Sequence, residues 1–192
     1  GHLGIDEPFA GLFTQGMVCH ETHRDDRAWV APVDVVRGDD GTLRHASSGA
    51  AISTGRSEKM SKSKKNVIDP EDIIEAYGAD TARWFMLSDS PPERDLDWTE
   101  AGIAGAWRFV NRIWRLATST DRAIAEVGSP TPNHFDSETI KLRRASHKAI
   151  ARITEDLDAF RFNRAAAAVH ELVNAIGELS GDDEAAAWAR RE

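Results

Sequence analysis

Cysteine is almost absent from the 192-residue chain: Cys19 stands alone, so no internal disulfide and no Cys-cluster zinc site can form, and a reducing compartment suits it. Long apolar runs are missing too. The longest falls far short of the roughly 20 residues that cross a bilayer, so no membrane association is expected. No basic-then-apolar leader opens the sequence, which leaves secretion without support and makes a cytoplasmic location the expectation. Positive charge is in deficit, with 24 Lys and Arg against 32 Asp and Glu for a net charge of −8. That excludes a wholly basic nucleic-acid module but leaves room for local basic patches. The seven histidines show no metal-ligand spacing, and His20 and His23, the closest pair, read as residues of a solvated loop. Hydrophobic residues make up 41% and charged residues 29%, enough apolar content for a packed core in one domain or two small ones.

The pattern along the chain is α+β and mostly α. Leu12–Cys19 has the length and composition of a strand, interrupted by Gly16, and Trp29–Val36 reads as a second, edge strand because Pro32 cannot donate to a ladder. Gly38-Asp39-Asp40-Gly41 is a turn, and Leu43–Ser53 suggests a hairpin around Ser48-Gly49. These strands are too few to close an ordinary sheet alone. Asp69-Pro70 has the form of a helix cap and first turn, and Ile73, Ile74 and Tyr77 give that short helix an apolar side that Gly78 ends. A second helix runs over Asp80–Leu87, carrying Trp84, Phe85 and Leu87, and stops before Ser90-Pro91-Pro92.

Beyond Thr99, a plausible cap, three apolar stripes follow at helical spacing. They are Ile103, Trp107, Val110, Ile113, Trp114 and Ala117; then Leu142, Ala145, Ala149, Ile153, Leu157 and Phe160; then Phe162, Ala165, Val169, Val173 and Ile176. The polar segment Gly128–Asn133 links the first two, and Ala185–Arg190 begins a further helix. Three antiparallel helices with short links argue for a bundle. Trp84, Trp107 and Trp114 lie on the apolar stripes and are expected in the core. Arg108, Arg112, Arg115 and Arg122 share a sector of roughly 80° on the opposite side, which is either a solvated face or a phosphate-binding one.

Chemistry concentrates in Glu58-Lys59-Met60-Ser61-Lys62-Ser63-Lys64-Lys65-Asn66. Four lysines less one glutamate give +3 in nine residues of an acidic chain. Alternating lysines and hydroxyls make a mobile loop that offers both charge and hydrogen-bond donors. Its position between a β segment and a helix start suits movement against a rigid scaffold. Flexible ammonium groups suit a polyphosphate whose charge is redistributed during reaction.

Lys59-Met60-Ser61-Lys62-Ser63 resembles the KMSKS signature of the class I aminoacyl-tRNA synthetases, and Asn66-Val67-Ile68-Asp69-Pro70 follows it as that family has it. Tyr77-Gly78-Ala79-Asp80-Thr81-Ala82-Arg83 is similar to the aliphatic amino-acid subclass. Ser90-Pro91-Pro92-Glu93, Leu96, Trp98 and Glu100-Ala101-Gly102, with Glu7-Pro8-Phe9 to Gly16-Met17-Val18 upstream, resemble the leucyl enzymes more than the isoleucyl or valyl ones. The family's His-x-Gly-His signature occurs nowhere, and complete leucyl enzymes are several times longer. The resemblance therefore implies a fragment that is inactive by itself.

On that resemblance, residues 1–57 are the end of the nucleotide-binding catalytic domain, with a short leucine-specific insertion at Asp26–Gly55. Residues 58–98 are the KMSKS loop and connecting helices, and 99–192 a truncated anticodon-binding-type helical bundle. The implied activity is ligation of leucine to tRNA(Leu) through leucyl-adenylate. ATP would be bound by Lys59, Met60, Ser61, Lys62 and Ser63, with Lys59 and Lys62 as catalytic cations and Lys62 foremost. Ser61 and Ser63 would support the loop or donate hydrogen bonds. Mg2+ would arrive with ATP and no dedicated protein metal site is implied. Arg108, Arg112 and Arg115 would contact tRNA phosphates, and the parent would be a monomer. The competing readings are an isoleucyl or valyl enzyme fragment, or a non-catalytic RNA-binding helical module.

Overall fold

The computed structural model describes residues 2 and 4–192. The class is α+β and mostly helical, as expected. Two compact units form: Gly1–Val67 with Pro92–Trp98, and Ile68–Pro91 with Thr99–Glu192.

The first unit is built on β1 (Val18–Arg24). Along one side β1 pairs antiparallel with β5 (Ser53–Lys59), in a register running from Cys19↔Lys59 to Arg24↔Ser53 with an irregularity between Glu21 and His23. On its other side its last residues pair with β2 (Trp29–Val30) and its first residues with β6 (Leu96–Asp97), the latter in parallel. A separate ribbon joins β3 (Val35–Arg37) to β4 (Leu43–His45).

Three sequence expectations shift here. The strand begins at Val18, so Leu12 and Phe13 are exposed outside it. Pro32 breaks the second predicted strand by starting a 3-10 turn, Pro32–Asp34, between β2 and β3. His20 and His23 lie in β1 instead of a loop, and His23 is buried with Nδ1 3.4 Å from the Thr54 hydroxyl. The expected turn at Gly38–Gly41 is present, with Gly41 at positive φ. Gly16 is required by close approach. Its N–H donates to the Pro92 carbonyl at 2.8 Å, and a Cβ there would sit 2.0 Å from the Arg94 carbonyl oxygen.

The second unit holds α1 (Pro70–Tyr77), α2 (Ala79–Ser88), α3 (Glu100–Thr118), α4 (Ser137–Asp158), α5 (Phe162–Glu178) and α6 (Glu184–Arg191). The helix starts are chemically marked. Asp69, Thr99, Asp136 and Asp183 each accept a backbone N–H in the first turn, satisfying a donor the helix cannot. Gly78, at φ 86°, ends α1 and allows α2 to start at once. Helix α2 packs on α3 and α5, α4 on α5, and α6 on α4. Ile103, fully buried, with Phe85 and Phe109 anchors the α2–α3 side, and Leu142, Leu179, Ala186 and Ala189 form the core beneath α6.

The buried face of α3 is Ile103, Ala106 and Phe109, so Trp107 (43% exposed) and Trp114 (68%) point to solvent, against the core expected for them. The α3 sequence is apolar over too wide an arc for its stripe alone to choose the face. The choice falls to packing, with Phe109 set 5.1 Å from the Trp84 ring. Ile74, Leu87, Leu157 and Phe160 are likewise exposed.

Candidate functional site

The lysine-rich segment grows directly out of the sheet. Glu58 and Lys59 are the last residues of β5 and not part of a loose loop, and the Met60 N–H extends the ladder to the Val18 carbonyl at 3.2 Å. The chain then turns over Lys62–Lys65, closed by the Lys65 N–H to the Lys62 carbonyl at 3.3 Å, with Lys65 in the left-handed region at φ 55°. The Ser61 hydroxyl accepts the Lys64 N–H at 3.3 Å and lies 3.3 Å from the Ser63 hydroxyl.

The four lysines separate into two kinds. Lys64 forms an ion pair with Glu58. Lys59, Lys62 and Lys65 are exposed and have no carboxylate within ion-pair distance among the described residues. Three unneutralised ammonium groups, one at the end of β5 and two on the turn, form an anion-receptive edge. Asp95 and Asp97 bind elsewhere in this unit, to the Met17 N–H and the Ser57 hydroxyl. Burial, reinforced by those two carboxylates, pushes the Cys19 thiol up, which disfavours its thiolate form. No cluster of three or more metal-ligating side chains occurs among the described residues.

The arginine sector of α3 divides in the same way. Arg108 and Arg115 are exposed, and Arg115 donates to the Asn111 carbonyl of its own helix. Arg112 donates to the Asn174 side chain at 2.7 Å. Arg122 lies beyond the end of α3 and leaves the group, because its guanidinium donates to the carbonyls of Ile176, Gly177 and Leu179 at the end of α5. It is a helix C-terminal cap from a distance.

Two polar centres escaped sequence reasoning. Asn66, 1% exposed, sits under the lysine turn. Asp156, also 1% exposed, gathers Arg161 at 2.6 Å, Arg164 at 3.4 Å and Arg152 at 3.9 Å where α4 gives way to α5. The spacing of Arg152 and Asp156, four apart on one helix, was the one local signal for the latter.

A family model described as tRNA synthetases class I (I, L, M and V) matches residues 47–99, the stretch holding the lysine turn. The leucine–tRNA ligase of Paramagnetospirillum magneticum is 58% identical over 193 aligned residues, covering 100% of this chain and 22% of that protein. That of Rhodospirillum rubrum is 54% identical over 97% of this chain and 22% of its own length. The chain thus spans about a fifth of the length of these relatives. Among solved structures, the agnB2 LeuRS of Agrobacterium radiobacter K84, in a ternary complex with tRNA and LeuAMS, shares the fold. Its TM-score is 0.66 at 24% identity, over 100% of this chain and 20% of that one. No helix among the described residues is long and apolar enough to cross a membrane. Over its whole length the chain is similar to one segment of the leucine–tRNA ligases, and within it residues 47–99 match the class I tRNA synthetase model.

Proposed function

We propose that this chain is the segment of a leucine–tRNA ligase that carries the ATP-phosphate loop and the start of the tRNA-supporting helices. Residues 1–57 close the nucleotide-binding domain, 58–98 supply the loop and its connecting helices, and 99–192 begin the helical domain that holds tRNA(Leu). The enzyme is a cytoplasmic monomer. In the first step the leucine carboxylate attacks the α-phosphorus of ATP and pyrophosphate leaves, forming leucyl-adenylate. In the second, a terminal ribose hydroxyl of the tRNA attacks the acyl carbon and AMP leaves.

The observation that supports this most is the state of Lys62. It is exposed at the head of a hydrogen-bonded turn, with no carboxylate partner among the described residues, while Lys64 is held by Glu58. An ammonium already neutralised in the free protein has less to offer a phosphate. One left unpaired can meet the charge that develops as the α–β bond breaks. Lys59 and Lys62 are the cations of this step, and Met60, Ser61 and Ser63 shape the loop against the nucleotide. Magnesium enters with ATP, held by its phosphates. Arg108, Arg112 and Arg115 contact tRNA phosphates.

The test is amino-acid-dependent ATP–pyrophosphate exchange by the full-length protein with leucine, isoleucine and valine in turn. Exchange should depend on leucine, and the isolated 192-residue chain should support none. Preference for isoleucine or valine would overturn the leucyl reading. Robust exchange by the isolated chain would overturn the division of the active site.

A further inference from the structure

We propose that Asn66 is the positioning residue that holds Lys62 for the phosphate step. The proposal rests on the function proposed above. Asn66 is outside the five-residue signature and is the most deeply buried polar residue of its unit, at 1% exposure. Both ends of its carboxamide are engaged in hydrogen bonds. Its Oδ1 accepts the Ser61 N–H at 2.9 Å, and its Nδ2 donates to the carbonyls of His20 and Glu58 at 3.1 Å and lies 3.5 Å from that of Lys59.

One side chain therefore ties the centre of β1, the end of β5 and the residue immediately before Lys62. The last residue of the turn closes the other side, because the Lys62 carbonyl accepts the Lys65 N–H. The backbone at Lys62 is thus held on both flanks while its ammonium stays exposed. This solves a problem the sequence poses. A run of serines and lysines has no apolar anchor of its own, and a catalytic cation misplaced by about 1 Å can lose roughly 100-fold in rate.

The chemistry demands an amide. The site presents one N–H donor and several carbonyl acceptors, so a group with an acceptor at one end and donors at the other is needed. Aspartate has the same size, and one oxygen would still accept from Ser61. Its other oxygen would face the carbonyls of His20 and Glu58 as a third acceptor, and the tie to the sheet would be lost.

The experiment uses the full-length protein and leucine-dependent ATP–pyrophosphate exchange, with Asn66→Asp, Lys62→Ala and the double variant. Asn66→Asp should lower kcat by about 10- to 100-fold, since placement matters most in the transition state, and leave KM for leucine within about twofold. In the Lys62→Ala background the same change should cost less than about twofold, because it acts through the lysine already removed. Asn66→Ser, which keeps one donor but not the bridge, should reproduce both results if the aspartate variant does not fold. Full activity in a folded variant overturns the proposal. So does an undiminished loss in the Lys62→Ala background, which would mean that Asn66 acts elsewhere. Failure of both variants to fold would assign Asn66 to the scaffold and likewise overturn it. An unchanged rate in Lys62→Ala alone would instead bring down the underlying function.

Discussion

Replacing Arg108, Arg112 and Arg115 together by Gln should weaken tRNA binding and flatten its dependence on salt. Each phosphate contact contributes about 0.7–0.9 to the slope of log affinity against log salt, so three lost contacts should reduce that slope by about 2–3. The structure ranks the contributors. Arg108 has no carboxylate within ion-pair distance among the described residues, and Arg115 spends one donor on its own helix. Arg112 spends one on Asn174. A guanidinium has five N–H donors, so each keeps several for a phosphate. Phosphates carry no base identity, and the loss should therefore be similar across tRNA sequences, with leucine activation nearly intact. Arg122 is the internal control. Its donors are committed to three carbonyls at the end of α5, so Arg122→Gln should lower thermal stability and leave the salt slope alone. Filter binding of tRNA to the full-length variants over a salt series measures all of this. Equal affinity and equal slope in the triple variant would refute the reasoning and return the stripe to solvent.

Two further predictions concern the helical unit. Ile103→Ala removes three carbons from a site with no exposure; at about 0.8 kcal/mol per buried methylene plus a cavity contribution, it should cost about 3–4 kcal/mol in urea unfolding, and a loss below about 1 kcal/mol would contradict the packing described. His170, stacked on Phe109, is held below its ordinary pKa by burial and then by the Arg112 charge, so over that interval the unfolded chain binds more protons than the folded one. Its contribution to stability is complete above the ordinary value of about 6.5 and is lost as pH falls from there to the lowered folded value. Melting temperature should drop across that range, and His170→Gln should make the drop shallower; equal slopes would remove His170 as a cause.

Local chemistry made most helix limits legible. Asp69, Thr99 and Gly78 sit where the expected caps and stops do, because capping depends on one residue and its first turn. Non-local pairing was not legible. Leu96–Asp97 reaches β1 from beyond two helices, and nothing in a two-residue strand announces its partner. The solvent-facing Trp107 and Trp114 fail for a related reason: α3 offers two apolar faces, and only its neighbours decide between them. At the lysine turn, composition revealed the positive charge but not its division. That Glu58 takes Lys64, or that Asn66 binds the turn from below, depends on a fold-back that spacing alone does not reveal.

The central claim is that an unpaired Lys62 meets phosphate charge in the transition state while the paired Lys64 does not. It is tested most directly by leucine-dependent ATP–pyrophosphate exchange in full-length Lys62→Ala and Lys64→Ala. Losing one such electrostatic contact typically costs about 3–4 kcal/mol, so Lys62→Ala should slow exchange roughly 100- to 1,000-fold with little change in KM for leucine. Lys64→Ala breaks only a partly exposed ion pair and should cost less than about tenfold. An unchanged rate in Lys62→Ala, or a larger loss in Lys64→Ala, would contradict the account.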